Sequence, residues 1–428
     1  MKRIKQLIDN SAKSGSLLNS IIVLLSGSMV AQLCTIITAP IMTRVFSEED
    51  IGEYTLIITA IALFGNIVCG KYDYSIVSEE KESNIFPLLK LALYVTAATS
   101  IVLGCGYAGY IYYFGETTRS LWLLVCLIVL FLFLTGVRNI VTSVNNRNKD
   151  YKVMTQATIS STIAKDASMV GFGLLNTGLF GLLISQVLYS IIGLHRQAKK
   201  ILPSYHQIIG SSRNSLLDVA RKHKKQPLYS VPANFANNFS YSALNVFISS
   251  PFGNIALAHY SLSFRLLGLP LNLVSVNASK AFFQRASKEY SEKGDYKSTF
   301  LKMSLFLACI SVPMAILLVL FAPPAIKWFF GDSWEVAGVY VQIMAPLFAV
   351  RLIVGALSPS MTISNCQQYE LIVQLLFGVS TLVAYIFAPI WGCIENFLFF
   401  IMISNSVIYI FYYTIMLFHT RKKTNANL

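Results

Sequence analysis

Polar side chains recur at helical spacing inside a strongly apolar part of this 428-residue chain. Asn234, Asn238, Tyr241 and Asn245 are three or four residues apart, so they share one face of a helix. Hydrocarbon cannot satisfy amide and phenol groups, which need a water-filled cavity or a neighbouring helix. Gln32 belongs to a similar polar row in the first apolar stretch. These rows predict a polar cavity within the membrane, with interhelical hydrogen bonding as the alternative.

Charged residues inside the apolar stretches are few and mostly basic. Arg265 lies about ten residues from either end of its stretch, which puts it ~15 Å deep. A buried cation is costly unless it meets water, a carboxylate or an anionic ligand. We therefore predict an anionic ligand, for which the candidate contacts are Arg265, Arg44, Lys71 and Arg351. For Arg44 and Lys71, which flank apolar stretches, snorkelling to lipid headgroups is the alternative.

One clear acidic residue stands at the centre of an apolar stretch. Asp166 directly follows Lys165, and adjacent side chains point about 100° apart on a helix. The sequence therefore does not predict that this pair neutralises itself, and a carboxylate of another helix is an alternative partner for Lys165. Asp73 flanks the second stretch. Asp166, Lys165 and Asp73 are candidates either for ion coupling or for structural charge pairs.

Twelve apolar stretches position these residues, and most reach the ~20 residues needed to cross ~30 Å of hydrocarbon. Most of the 34 lysines and arginines lie in the two tails or in every second loop. By the positive-inside rule, both termini are cytoplasmic in a multi-pass protein of the inner (plasma) membrane. The predicted spans are 17–42, 52–70, 86–113, 121–137, 154–176, 178–194, 229–248, 255–276, 300–321, 336–357, 371–388 and 397–418.

The composition excludes several classes of function. Hydrophobic residues make up 55% of the chain and charged residues 13%, against ~25% charged in soluble proteins. The net charge of +14 sits beside anionic headgroups, so membrane lipids are expected partners and nucleic acid is not. The seven cysteines have no CxxC spacing, and no HExxH, P-loop or GxSxG motif occurs. We expect no metal site, no cofactor and no enzyme activity.

The longest basic loop divides the chain into two halves. We predict an N-terminal half at 1–194, a basic cytoplasmic linker at 195–228 and a C-terminal half at 229–428. Residues 45–68 resemble residues 251–274 at a fixed offset of about 206, which fits two parallel repeats of six spans. Internal duplication around a central path is typical of transporters.

Five segments together resemble the polysaccharide-biosynthesis flippases, the Wzx-type O-antigen and capsule transporters of the multidrug/oligosaccharidyl-lipid/polysaccharide exporter superfamily. The family often has arginine after the second span, whereas this chain has Lys71 there. Lysine keeps the positive charge but lacks the guanidinium that binds phosphate with two parallel hydrogen bonds. The segments are APIMTRVFSEEDIGEYTL (39–56), GLFGLLISQVLYSIIGL (178–194), QPLYSVPANFANNFS (226–240), ALAHYSLSFRLLGLPLNLVSVNASKAFFQRASKEY (256–290) and FFGDSWEVAGVYVQIMAPLFAVRLIVGALS (329–358).

This resemblance implies an all-α integral membrane protein of about twelve helices, in two six-helix lobes around a central cavity. The implied cargo is an undecaprenyl-pyrophosphate-linked oligosaccharide, moved from the cytoplasmic to the outer leaflet. Cations suit a pyrophosphate, and asparagine and tyrosine suit sugar hydroxyls. A polysaccharide polymerase and a chain-length regulator are candidate partners, and an ion or proton gradient is a candidate driving force.

Two alternatives stay open. A multidrug or cation exporter of the same superfamily should carry acids deep in its lobes, whereas Asp166 is the only clear mid-span acid here. A membrane polysaccharide polymerase or ligase should carry a sizeable outward loop with catalytic side chains. The longest predicted outward loop, near 322–335, is too short for that role.

Overall fold

The structure, a computed structural model, describes residues 17–114, 120–199, 201–364 and 366–421. Within these ranges the chain is helical, with no β-strand and a single isolated bridge between Asp295 and Arg421. It forms two compact units, Met1–Asn238 and Phe239–Leu428. The first unit therefore includes residues 229–238, which the sequence-based division placed in the second half. This all-helical architecture is the predicted fold class.

The helices of the first unit follow the predicted spans closely, because each apolar run is long enough to satisfy its own backbone within one helix. They are α1 Leu17–Val45, α2 Glu48–Phe64, α3 Tyr72–Ser78, α4 Ile85–Phe114, α5 Leu121–Arg147, α6 Tyr151–Leu174, α7 Leu179–Ala198 and α8 Arg213–Lys222. Helix α8 was not predicted, since it lies in the basic segment that the sequence indicated only as a linker.

The second unit begins inside the next helix. Its helices are α9 Val231–Pro270, α10 Val276–Lys293, α11 Lys297–Phe330, α12 Glu335–Leu357, α13 Gln367–Ile386 and α14 Ile394–Phe418. Helix α10 lies between the predicted spans 255–276 and 300–321, where the sequence predicted no helix. Helix α11 extends beyond its predicted span and shortens the loop before α12 to 331–334.

Eight helices in the described ranges are long and apolar enough to cross a membrane. A shorter apolar stretch, Met29–Val45, lies within α1. One of the eight, Ser242–Lys293, includes the end of the predicted span 229–248 and the whole of the next predicted span, 255–276. Helix α2, with 17 residues, is shorter than its predicted span because the chain leaves the helix at Gly65. Together these helices make the protein a multi-pass membrane protein.

Helix α9 contains the break that separates its two predicted spans. Gly253 adopts φ 85° and ψ 172°, a left-handed region that side chains with a Cβ disfavour. Pro251 precedes it and cannot donate a helical hydrogen bond. If 206 is added to the residue numbers of α2, its range becomes 254–270. The part of α9 after Gly253 has the same range, because α9 ends at Pro270. The position of this helix agrees with the predicted internal repeat.

Asp50 fixes the start of two helices in the first unit. Ser47 caps α2, since its hydroxyl accepts a hydrogen bond from the Asp50 backbone N–H at 3.1 Å. The Asp50 carboxylate in turn accepts a hydrogen bond from the Leu179 backbone N–H at 2.9 Å. Gly178 precedes Leu179 with φ 57° and lies so close that a Cβ there would be 3.3 Å from the carboxylate. The segments 39–56 and 178–194 are therefore in direct contact.

Small residues let helices pack closely in each unit. A Cβ on Gly173 of α6 would lie 2.3 Å from Val45 of α1, and one on Gly338 of α12 would lie 2.4 Å from Pro323 of α11. Lipid supplies no hydrophobic driving force between helices, so such close backbone approach is a main source of their association. These contacts join α1 to α6 and α11 to α12.

A buried carboxylate ties the unpredicted helix α8 to the segment between α3 and α4. The side chain of Glu79 is fully buried, and Lys222 donates to its two oxygens at 2.6 and 2.7 Å. His223 lies 2.8 Å from Oε2, and Asn84 and the Lys81 backbone N–H donate to Oε1. Burial raises the pKa of Glu79, but these hydrogen bonds outweigh burial and lower it from 4.5 to about 2. The carboxylate is therefore ionised over the whole physiological range.

We expect Glu79→Gln to lower the melting temperature of the purified protein by a few degrees near neutral pH, because Lys222 would face an uncharged amide. The folded-state pKa lies below the ordinary value, so the stabilisation is complete above pH 4.5 and is lost as the pH falls towards 2. The difference from the wild type should shrink over that window. Glu80→Gln is the matched control, since Glu80 is exposed. Equal melting temperatures for both variants and the wild type would contradict this role.

Candidate functional site

The first unit has an irregular polar segment where α2 ends. The chain leaves the helix at Gly65, and both Gly70 and Lys71 adopt left-handed φ values of 60°. The left-handed conformation costs a non-glycine residue about 1 kcal/mol. Asn139 of α5 donates to the Gly65 carbonyl at 2.8 Å, which satisfies an acceptor that the broken helix leaves open. This break replaces the last residues of the predicted second span.

Lys71 and Asp73, two of the predicted site residues, lie in this segment and are buried. Lys71 is 1% exposed, and its ammonium lies 4.1 Å from the ring centre of Tyr74. Asp73 is 7% exposed, and its Oδ1 has no hydrogen-bond partner in the described part of the chain. Neither side chain snorkels outward, so in this conformation Lys71 is shielded from any ligand.

The predicted polar stripe on α9 consists of Asn234, Asn238, Tyr241 and Asn245, and the members that the structure describes make different contacts. Asn238 donates to the Leu63 carbonyl at 3.2 Å and accepts from Asn66 at 3.4 Å, so it joins α9 to the end of α2. Asn234 instead donates to the Ser230 carbonyl at 2.7 Å, one turn back. Asn245 is half-buried in the second unit, and the Tyr241 side chain lies outside the described part of the structure. Interhelical hydrogen bonding, the alternative given by the sequence, is what Asn238 does here.

Asp166 and Lys165 do contact each other, contrary to the interpretation of the sequence. The Lys165 ammonium lies 3.8 Å from Oδ1 of Asp166, because the long flexible lysine chain spans the angle between adjacent helical positions. Thr35 of α1 donates to Oδ2 at 3.0 Å. Asp166 is 3% exposed. The acid is thus held by a cation of its own helix and a hydroxyl of a neighbouring one.

Arg138 and Tyr189 complete this charged cluster, and the sequence did not single them out. The Arg138 guanidinium lies 4.2 Å from the Tyr189 ring centre and the Lys165 ammonium 5.6 Å from it. Two cations therefore share the Tyr189 ring, and one of them, Lys165, also contacts the Asp166 carboxylate. The predicted fourth span stopped at residue 137, whereas α5 continues to Arg147. A longer predicted fourth span would have included Arg138, but nothing in the sequence indicates that Tyr189 is its partner.

The remaining candidates are dispersed. Arg351 of α12 lines a cavity of about 30 Å³ inside the second unit. Arg265 is half-buried on α9, Arg44 is exposed at the end of α1, and Gln32 is half-exposed on α1. The first unit therefore brings together two pairs of the predicted residues, Lys71 with Asp73 and Asp166 with Lys165.

A larger cavity lies apart from these charged residues. It is an open groove of about 410 Å³ between α11, α12 and α14, lined by Leu301, Leu305, Val350, Ile353 and Ile410 among others. Its polar floor is a hydrogen bond from Tyr413 to Ser304 at 3.1 Å. Such an aliphatic groove on exposed helix faces suits hydrocarbon chains and offers nothing to recognise sugar or phosphate.

No group of three His, Cys, Asp or Glu side chains in the described ranges could hold a metal ion. The arrangement supplies cations, amides and phenols, which bind anionic and hydroxyl-bearing molecules without covalent chemistry.

A family model described as polysaccharide biosynthesis protein matches residues 41–338. No curated protein matches the chain in a sequence search.

Solved structures share the fold. A lipid II flippase MurJ in an inward closed conformation has a TM-score of 0.70 at 13% identity, covering 92% of this chain and 87% of its own. An inward-facing multidrug resistance MATE family transporter of the MOP superfamily has a TM-score of 0.65 at 14% identity, covering 95% and 99%. A MOP superfamily transporter from Pyrococcus furiosus, described as having a binding pocket of reverse polarity, has a TM-score of 0.54 at 16% identity, covering 93% of this chain and 94% of its own.

We expect Asp166→Asn to destabilise the protein by about 1–3 kcal/mol, because Lys165 would lose the carboxylate that it contacts. Adding Lys165→Met should recover part of that loss. The free energies of unfolding of the two single variants and the double variant should show a coupling of about 0.5–3 kcal/mol. Asp218→Asn is the control, since Asp218 is exposed on α8. Strictly additive effects would show that the 3.8 Å contact contributes nothing.

Proposed function

The chain belongs to the polysaccharide biosynthesis protein family, and from that premise we propose that it is a flippase. Its proposed cargo is an undecaprenyl-pyrophosphate-linked oligosaccharide, which it moves from the cytoplasmic to the outer leaflet by alternating access. The product would serve the assembly of a surface polysaccharide such as O-antigen, capsule or exopolysaccharide. The fold shared with MOP superfamily transporters supports a transport role.

The observation that carries this proposal is the balance of charge at membrane depth. Asp166, the one clear mid-span acid, is already engaged by Lys165 and Thr35. Arg265, Arg351 and Arg138 leave an excess of cations in the helices. A cationic drug would be repelled by these groups, whereas a pyrophosphate would be attracted to them. The charge balance therefore favours an anionic cargo over the cargo of a cation exporter.

We assign the pyrophosphate chiefly to Arg265, with Arg44 and Lys71 as supporting contacts. Arg351 is a weaker candidate for the same role. A guanidinium matches two phosphate oxygens, and the contact strengthens where the dielectric is low. Lys71 is buried against Tyr74 in this conformation, so its contribution requires another state of the transport cycle. We assign the sugars to amide and phenol groups, namely Asn234, Asn238, Asn245, Tyr241 and Gln32.

Energy coupling is assigned to the buried acids. Asp166 beside Lys165, and Asp73, whose Oδ1 has no hydrogen-bond partner in the described ranges, are the groups through which an ion or proton gradient would act. We further propose that the protein lies in the inner membrane with both termini cytoplasmic. A polysaccharide polymerase and a chain-length regulator are the proposed protein partners, and both act on the cargo after it has crossed.

Two other functions are less well supported. A multidrug exporter would need accessible acids, which the engagement of Asp166 opposes. A polymerase or ligase would need a large loop with catalytic side chains, whereas only residues 331–334 separate α11 from α12.

We expect Arg265→Ala to abolish most surface polysaccharide export and Arg265→Lys to retain part of it. Lysine keeps the positive charge but cannot donate two parallel hydrogen bonds to phosphate oxygens as a guanidinium does. Export is measured in cells together with the amount of membrane-inserted protein. Arg285→Ala is the matched control, since Arg285 is 68% exposed and pairs with Glu289 only on its own helix. Full export by a well-inserted Arg265→Ala protein would rule out the phosphate role.

A further inference from the structure

Two cations meet at one aromatic ring deep in the first unit. The guanidinium carbon of Arg138 on α5 lies 4.2 Å from the ring centre of Tyr189 on α7, and the Lys165 ammonium of α6 lies 5.6 Å from it. Each of these residues is about 14 Å from the nearer end of its helix. Both α5 and α7 are long and apolar enough to cross a membrane. A charge at this depth needs an opposite charge, water or an anionic ligand.

Arg138 has no such partner among the residues that the structure describes. Within these ranges its guanidinium makes neither a hydrogen bond nor an ion pair, and its charge is met by the Tyr189 ring. A ring face attracts a cation but accepts no ordinary hydrogen bond. The N–H groups of the guanidinium are therefore available to a ligand. Arg138 is half-buried, so part of its side chain can be reached from outside the packed helices.

The acid beside this ring is engaged by other groups. Asp166 lies 3.8 Å from the Lys165 ammonium and accepts a hydrogen bond from Thr35 at 3.0 Å. It is 3% exposed, so it is enclosed by these contacts. The formal charges of Arg138, Lys165 and Asp166 leave one net positive charge. The cluster is therefore complementary to a ligand group that carries a single negative charge.

Helix α7 holds the guanidinium of Arg138 in place. Tyr189 and Gly193 are four residues apart, so they lie on the same face of α7. A Cβ on the buried Gly193 would lie 3.3 Å from the guanidinium carbon, so the missing side chain is what lets Arg138 approach the helix this closely. A guanidinium that is already positioned loses less conformational entropy when it binds two oxygens of a ligand.

We propose that Arg138, positioned by Tyr189 and Gly193, binds the carboxylate of an acidic sugar in the glycan of the cargo. The inference rests on the proposed function, because it takes the cargo to be a lipid-linked oligosaccharide. A carboxylate carries a single negative charge, which matches the net charge of the cluster, and its two oxygens match the two parallel N–H groups of a guanidinium. The pyrophosphate of the carrier has more than one negative charge and is assigned to Arg265. The cargo therefore includes a sugar of the uronic acid type.

Binding is tested by the melting temperature of the full-length purified protein in sodium glucuronate, with glucose and sodium chloride at equal ionic strength as the reference. We expect glucuronate to raise the melting temperature by a few degrees and the rise to saturate, because the ligand binds only the folded state. Arg138→Gln should abolish the rise, and Arg138→Lys should reduce it. Arg196→Gln is the matched control, since Arg196 is exposed on α7. Equal melting temperatures in the two solutions, or a larger Arg138-dependent rise with inorganic pyrophosphate, would overturn the proposal.

Transport distinguishes this inference from the proposed function. Proteoliposomes receive two lipid-linked glycans that differ in one sugar, a hexose or the corresponding hexuronic acid, and a lectin for a sugar common to both measures transfer. We expect the ratio of acidic to neutral transfer rates to fall about tenfold in Arg138→Gln. A structural role for Arg138 would lower both rates alike, and an unchanged ratio would overturn the inference. Transfer of neither glycan by the wild type would instead contradict the proposed function, and the glucuronate measurement would still decide whether Arg138 binds a carboxylate.

Discussion

A charge or hydrogen-bonding group inside hydrocarbon must find its partner within the protein. Each polar feature of this chain follows from that requirement. Asp166 forms an ion pair with Lys165 and accepts a hydrogen bond from Thr35. Lys71 packs against the ring of Tyr74. At the broken end of α2, the Gly65 carbonyl accepts a hydrogen bond from Asn139. Groups that lack such a partner in the described ranges, such as Asp73 Oδ1 and the Tyr260 hydroxyl, are therefore the places where a ligand or ion has the most to offer.

The same requirement relates charge to function. A membrane transporter that keeps basic side chains in its helices, and engages its one clear mid-span acid internally, is suited to anionic cargo. The chain belongs to a polysaccharide biosynthesis family. A lipid-linked pyrophosphate, the proposed cargo, is an anion of the kind that polysaccharide biosynthesis in a membrane would require. No covalent step is needed, so recognition by cations, amides and phenols is sufficient for the proposed activity.

The sequence predicted the helices well and the contacts between them poorly. Hydropathy located the apolar runs because each must form a continuous helix in lipid, and α12 lies within a residue of its predicted span. It missed α8 and α10, because these are polar helices in segments where only charge was considered. The early end of α2 at Gly65 and the kink at Gly253 depend on backbone geometry that hydropathy does not record.

The candidate site was predicted only in part for a related reason. Spacing along one helix shows which residues share a face, but it does not identify what that face meets. Asn238 is on the predicted stripe, yet its partners, Asn66 and the Leu63 carbonyl, lie far away in the sequence. Both Arg138 and Lys165 lie near the ring of Tyr189. In the sequence alone, nothing distinguishes Tyr189 from the other aromatic residues. Pairing between distant helices is set by the fold.

The central claim, that the cargo is a lipid-linked pyrophosphate oligosaccharide, is tested most directly in proteoliposomes. Purified protein is reconstituted with such a lipid, and a lectin added outside measures the glycan exposed on the outer leaflet over time. The account predicts protein-dependent transfer that is lost in the Arg265→Ala variant and a lack of transport for a cationic dye. Export of the dye without movement of the lipid-linked glycan would contradict the account and identify a cation exporter.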